Sequence, residues 1–375
     1  MKVLIVTYNY LSGFGGGVYG ARAYINAFAT LYDDVTLLYP AKSEGEPLSG
    51  IDPGVRGIGV VDPASKLSKA IRLVVRGIPH RFEKPFEEML ERERFDLIVF
   101  QNSKCSTGLI RLARSSGSRV IVQHDNFEWE YTRDNTVFWK RPFLLPAVLR
   151  TECEAVREAD INLALTPADA GLLLRRYGKG MKGRMEILYP FEYRPVPDRV
   201  PVTVSRPVFI ITGNLGAMQT RDSLFPWLKD YYPILKREVP EAELIIAGKD
   251  AGGSLRQCLA GLDIELVDTP SDMSAVLDRA RYYICPVDRG GGVKLRVMDG
   301  LRTGMPALVH RVSARGYESL EGISVFAYDS LDSFAESLRS MMGSPETAEA
   351  RQAAYKARFS FESGVGRLRK ILEKS

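Results

Sequence analysis

Three consecutive glycines, Gly290, Gly291 and Gly292, follow a strand-like run of bulky residues, Tyr282-Tyr283-Ile284-Cys285. A helical stretch comes after them, stops at Gly304-Met305-Pro306, and gives way to a second strand, Ala307 to Val309. An order of strand, glycine loop, helix and strand fits a doubly wound parallel sheet, in which ligands meet the carboxyl ends of the strands. Glycines ahead of a helix leave backbone N–H groups bare beside the positive end of the helix dipole, which makes a seat for a phosphate. Lys294 and Arg296 add positive charge, and Asp299 on the following helix places a carboxylate where it would accept from two neighbouring hydroxyls. Phosphate and diol together point to a nucleotide. Tight-turn glycines needed only for packing are the competing reading.

The pattern Gly290-x-Gly292-Val293-Lys294-x-Arg296-x-x-Asp299, followed by Gly304-x-Pro306, resembles the donor-site signature of retaining GT-B glycosyltransferases of family 4. The resemblance implies two Rossmann-like α/β domains facing a central cleft, with a nucleotide-diphosphate sugar, UDP- or GDP-linked, as donor. It implies that Gly290, Gly291, Gly292, Val293 and Lys294 hold the diphosphate and that Asp299 holds the ribose. The chain departs from the family at two positions: aspartate replaces glutamate at 299, and Gly291 stands where a second glutamate is usual, with Asp288 as a partial substitute.

A chain of 375 residues with 45% hydrophobic content is long enough for two cores, since single cores stop growing at roughly 250 to 300 residues. We expect an N-terminal domain over residues 1–193, a proline-rich linker over 194–206, a nucleotide-sugar domain over 207–358, and a final helix, 359–375, returning to the first domain. A net charge of +5 suits anionic ligands and falls short of a nucleic-acid binder. Cys105, Cys153, Cys258 and Cys285 sit singly and are expected to be reduced core thiols. His80, His124 and His310 are scattered, so neither a metal nor another cofactor is expected. The opening MKVLIVTYNY is read as a first strand and not as a signal peptide, and no apolar run approaches the roughly 20 residues of a membrane helix. The expected location is the cytoplasm, at its inner membrane face if Ser65 to Arg81 makes a peripheral contact. That basic amphipathic segment is otherwise a solvated helix face.

Along the chain, Val3 to Val6, Val35 to Tyr39, Asp96 to Gln101, Arg119 to Gln123 and Asp160 to Leu165 read as parallel strands of the first domain. Pro207 to Thr212, Leu244 to Ala247, Ile264 to Val267, Tyr282 to Cys285, Ala307 to Val309 and Ile323 to Phe326 read as those of the second. Glycine loops follow the first strand of each domain: Gly15 to Gly17, and Gly213-Asn214-Leu215-Gly216. Neither half carries a dinucleotide fingerprint with an acid closing the next strand, which argues against a dehydrogenase. In the resembled family these loops shape the donor phosphate sites, so Gly16, Gly17, Gly213 and Asn214 join the candidates; Lys249, at a strand's end, contacts phosphate or sugar or is a turn lysine.

The strand Arg119 to Gln123 runs into His124-Asp125-Asn126-Phe127-Glu128-Trp129-Glu130-Tyr131, similar to the His-Asn-x-Glu-x-x-Tyr variant of one branch of the family, with Asp125 inserted or substituted. The resemblance places His124 beside the transferred sugar and leaves Asp125 and Glu128 as further catalytic candidates; a buried capping histidine is the alternative. The function implied is transfer of a sugar with retention to a hydroxyl acceptor, lipid-linked in many relatives, in cell-surface glycan or glycolipid synthesis. Protein groups would neutralise the leaving diphosphate in place of a cation, since no Asp-x-Asp cluster is present. A non-catalytic sugar-nucleotide binder and a GT-B epimerase are the other readings.

Overall fold

The computed structural model describes residues 1–13, 15–78, 80–197 and 204–374. Residues 198–203 of the proline-rich 194–206 stretch therefore lie outside the described residues. The chain divides into two compact units, Met1–Val196 with Phe359–Ser375, and Pro197–Arg358.

The first unit is built on strands β1 (Lys2–Thr7), β2 (Asp34–Ala41), β3 (Arg56–Val61), β4 (Leu97–Gln101), β5 (Arg119–His124), β6 (Ile161–Ala164) and β7 (Arg184–Ile187). They form one seven-stranded sheet in the order β3-β2-β1-β4-β5-β6-β7. All pairs are parallel, and β1 sits between β2 and β4, with Ile5 level with both Leu37 and Val99. Burial on both faces explains the unbroken Val3-Leu4-Ile5-Val6 run, every member of which is inaccessible to solvent. One face packs under the Gly16–Leu31 helix through Tyr24, Ile25 and Phe28, and the Phe361–Glu373 helix joins the same core through Phe361, Val365, Leu368 and Ile371. Gly364 makes that approach feasible, because a Cβ there would stand 2.1 Å from the Phe191 ring.

The second unit repeats the plan with β8 (Val208–Asn214), β9 (Glu243–Lys249), β10 (Ile264–Asp268), β11 (Tyr282–Cys285), β12 (Ala307–His310) and β13 (Val325–Tyr328), in the order β10-β9-β8-β11-β12-β13. Its core gathers Phe209, Ile211, Trp227, Ile246, Tyr328 and Phe334.

Several expectations need correction. β3 and β7 escape sequence reading: β3 has only the short, glycine-broken run RGIGVV, and both are edge strands with little burial. The last strand begins two residues later than expected, because Ile323 and Ser324 belong to the turn that brings Gly322 N–H onto the Val325 carbonyl. Cys258 is exposed and Cys153 half-buried, so only Cys105 and Cys285 are core thiols. The helix after Gly292 begins at Val297, not at the glycines, and runs only to Arg302, with Arg296 as its N-cap.

Candidate functional site

Each sheet reverses its strand order once, between β1 and β4 in the first unit and between β8 and β11 in the second. At such a switch point the loops leaving the two central strands part in opposite directions and leave a crevice for ligand. Gly16 and Gly17 follow β1 and the 286–296 loop follows β11 at these points, while His124 ends β5, Asp125 and Glu128 follow it, and Lys249 ends β9, each one strand away.

In the second unit, β8 ends in Gly213 and Asn214, and the loop 286–296 leaves β11 beside it. Asn214 closes its own turn by accepting from Gly216 N–H at 3.1 Å. Arg296 reaches under Gly213, donating to the Thr212 carbonyl at 3.4 Å and to Thr220 Oγ1 at 3.0 Å, so it joins the loop to β8. Lys294 is almost wholly buried, and its Nζ donates back to the carbonyls of Gly290 at 3.0 Å and Gly291 at 2.8 Å. This ammonium is held by the loop it belongs to, while Tyr317 Oη donates to the Lys294 carbonyl at 3.1 Å.

Gly290 and Gly292 adopt φ of 82° and 68°, the left-handed region where glycine is favoured. Gly291 differs: it is buried, yet a Cβ built on it meets no heavy atom within 4 Å. Open space therefore adjoins the middle of the loop, where bare amides would receive an anion. Because Val297 is five residues past Gly292, those amides do not cap the helix, and the dipole of so short a helix adds little.

Asp299, half-buried in the first turn of that helix, lies 3.8 Å from Arg302. Val293 is half-buried on the loop. Asp288 is engaged within the loop: it accepts from Ser223 Oγ at 2.7 Å and Arg289 Nε at 2.9 Å. Burial raises its carboxyl, but these donors outweigh that and hold it below the usual range. Lys249 ends β9, exposed, with its carbonyl accepting from Leu215 N–H at 2.8 Å.

In the first unit, Gly16 and Gly17 are exposed and open the 16-residue Gly16–Leu31 helix, which has neither a side-chain cap nor an acid in its first turn. Across the switch point, β4 and β5 deliver a buried polar cluster. Glu128, fully buried, receives Asn102 Nδ2 and Lys104 Nζ, each at 2.5 Å, one on each carboxylate oxygen. Burial pushes Glu128 up, but the Lys104 ammonium more than offsets it, and Glu128 stays ionised. Asp125, half-buried alongside, accepts from Gln123 Nε2 at 3.0 Å. Burial, and then the charge of Glu128, push its carboxyl up to about 7.

Glu152 completes the cluster from the Arg141–Glu158 helix, accepting from the backbone of Glu128 at 2.6 Å and Trp129 at 3.1 Å, and from Tyr177 Oη at 2.9 Å. It thereby caps the Glu128–Asn135 helix. Burial and the Glu128 charge push it up to about 8, against three donors that favour the ionised form. His124 is buried, its Nε2 2.9 Å from Asn162 Oδ1. Asn162 spends its own amide on the Val156 carbonyl, so Oδ1 accepts and Nε2 carries the proton. Nδ1 is then a buried lone pair with no partner among the described residues. Burial depresses the ring to about 4, leaving it neutral.

Asn102, Lys104 and Glu152 were not singled out in the sequence. The signal for the first two was present: Gln101-Asn102-Ser103-Lys104 follows a buried strand directly, and Asn102 takes a φ of 77° to make the turn. Glu152 carried none, being one acid in a helix 24 residues from its partner.

Two parallel sheets with this strand order, each with its polar loops at the switch point, define a two-domain Rossmann-like protein of the GT-B fold. Residues 206–344 match the family model described as Glycosyl transferases group 1. Over the whole chain the fold is that of the lipopolysaccharide outer core galactosyltransferase WaaB in its apo form, with a TM-score of 0.69, 13% identity and full coverage of both chains. Sucrose-phosphate synthase from Thermosynechococcus elongatus gives 0.73 at 12% identity, covering 100% of this chain and 99% of that one. Anabaena HepE in complex with UDP gives 0.68 at 13%, with both chains fully covered. An uncharacterized 44.6 kDa protein in the cps region of Klebsiella pneumoniae is 26% identical over 147 residues, a match spanning 37% of this chain and 36% of that protein. Among the described residues no helix is long and apolar enough to cross a membrane.

Proposed function

We propose that the chain is a retaining glycosyltransferase that moves a sugar from a nucleotide-diphosphate sugar to a hydroxyl acceptor, in the assembly of a cell-surface glycan or glycolipid. The observation that carries this reading is the 286–296 loop: a buried, left-handed glycine turn with open space at Gly291, a held lysine and a carboxylate at 299, at the switch point of the unit that matches the glycosyltransferase family model. Charge grows on the diphosphate as the glycosidic bond breaks. The Gly291 and Gly292 amides, with Lys294 released from the loop carbonyls onto a phosphate oxygen, would stabilise that charge more in the transition state than in the ground state. Protein groups then do the work a cation would otherwise do. Asp299 would accept from the ribose hydroxyls. On the acceptor side, Asp125, which changes protonation near neutrality, is suited to take a proton from a hydroxyl, with the Gln123 and Asn102 amides holding it in place.

HepE was solved with UDP, so UDP-sugars head the panel of donors to try, with GDP-sugars next. Thermal-shift titration tests the donor site, because a ligand of the folded state raises the melting temperature by mass action. We expect one nucleotide diphosphate to shift it and Asp299→Ala to abolish the shift. A panel with no shift in the intact protein overturns the donor assignment. Donor turnover that survives chelation and is lost in Lys294→Ala would support metal-independent catalysis.

A further inference from the structure

We propose that the Lys66–Arg76 helix and the 138–143 turn of the first unit form one surface that docks on an anionic lipid bilayer. The helix is mounted inside out. Its apolar stripe, Leu67, Ile71 and Val75 at i, i+4 and i+8, faces solvent at 71%, 54% and 59% exposure, and no residue of the helix is buried. Arg72 turns inward instead and pairs with the inaccessible Asp62 at 2.6 Å, beside half-buried Leu73 and Val74. Phe138, Trp139 and Phe143 stand exposed at the start of the neighbouring Arg141–Glu158 helix. The two elements lie side by side: Arg150 Nη2 donates to the Val74 carbonyl at 3.3 Å, and Leu73 and Leu144 line one cavity of about 280 Å³ together with Lys104 and Tyr131. Six large apolar side chains on adjoining elements make a patch of the kind soluble monomers avoid.

Charge selects the occupant. Residues 63–82 hold five Lys or Arg and no Asp or Glu, and residues 135–151 hold three and none. Exposed Lys66 and Lys140 border the apolar stripe, with the Lys140 ammonium 4.8 Å from the centre of the Trp139 ring. Arg72 and Arg81 pair with Asp62, and Arg76 with Glu83, yet the two segments keep an excess of positive charge, and aromatic and aliphatic side chains among cations match a bilayer of negative surface potential. A second copy meeting through the same face would set cation against cation. Since Lys104, the partner of Glu128, lines this cavity, the surface also deepens the proposed function: it would bring the hydroxyl of a membrane-held acceptor toward that pair.

Co-sedimentation of the full chain with vesicles of phosphatidylcholine, and of phosphatidylcholine with phosphatidylglycerol, tests the surface. We expect pelleting with the anionic vesicles only, and its loss at high salt. Leu67→Ser/Ile71→Ser and Phe138→Ser/Phe143→Ser should abolish it, while Lys66→Gln and Lys140→Gln should each weaken it roughly fivefold. All these positions are exposed, so the variants should keep the wild-type melting temperature and nucleotide-induced shift, which separates failure here from failure of the donor reading. Absence of pelleting, equal pelleting on neutral vesicles, unaffected variants, or a concentration-dependent dimer that the same variants dissociate would each overturn the proposal.

Discussion

At the scale of single residues, the glycine triplet is three different sites. Gly290 and Gly292 are fixed by backbone conformation, and Ala at either should cost about 1 kcal/mol or more in denaturant unfolding. Gly291 is fixed by neither conformation nor contact. Gly291→Glu, which supplies the carboxylate usual in the resembled family, should fold with unfolding free energy within about 1 kcal/mol of wild type. Asp125 provides a pH test. Its folded carboxyl, up to about 7, lies above the unfolded value near 3.9, so the folded state holds the extra proton and stability falls as pH rises from about 4 to about 7. His124 acts oppositely: lowered to about 4, it costs stability as pH falls from about 6.5 to about 4. Asp125→Asn removes only the first effect, so its melting temperature relative to wild type should climb from about pH 4 to about pH 7. A constant difference would show that Asp125 is not ionising in that window.

Between elements, the strands and loops differ in what the sequence reveals. β1, β4, β5, β8 and β11 announce themselves as short aliphatic runs because both of their faces are buried, and the loops that follow are marked by glycine and polar residues. What cannot be read is pairing across the chain. The Lys104–Glu128 ion pair joins the turn after β4 to the helix after β5, and Glu152 reaches the same helix from a third element. No local pattern encodes these contacts; they exist only once the strand order brings β4 beside β5. The inverted Lys66–Arg76 helix shows the same gap, since its spacing gives an amphipathic helix without saying which side faces the core. The pair itself is testable. Lys104→Met leaves Glu128 buried without its cation, to be held charged or forced to take a proton, and should destabilise the fold by about 3 kcal/mol or more. Adding Glu128→Gln should recover part of that loss, as read by a double-mutant cycle in chemical denaturation.

For the whole molecule, the decisive feature is that the second unit is inserted into the first: the chain leaves the seven-stranded unit near residue 196 and re-enters it at Phe359. Ending the chain after Ser360 would remove Phe361, Val365, Leu368 and Ile371, each fully or nearly fully buried. At about 1.5–3 kcal/mol apiece, their loss rivals the entire stability of a domain. Hydrogen exchange on such a truncation should show β1, β2 and the Gly16–Leu31 helix losing protection while β8, β9 and β11 keep theirs, although the deleted segment is next in sequence to the second unit. The insertion also fixes an order of events during synthesis. As the nascent chain leaves the ribosome, residues 197–358 are complete while the first unit still lacks the segment that closes its core. The second unit is therefore free to fold first, and the first must wait, partly open and in need of protection, for the Phe361–Glu373 helix to be translated.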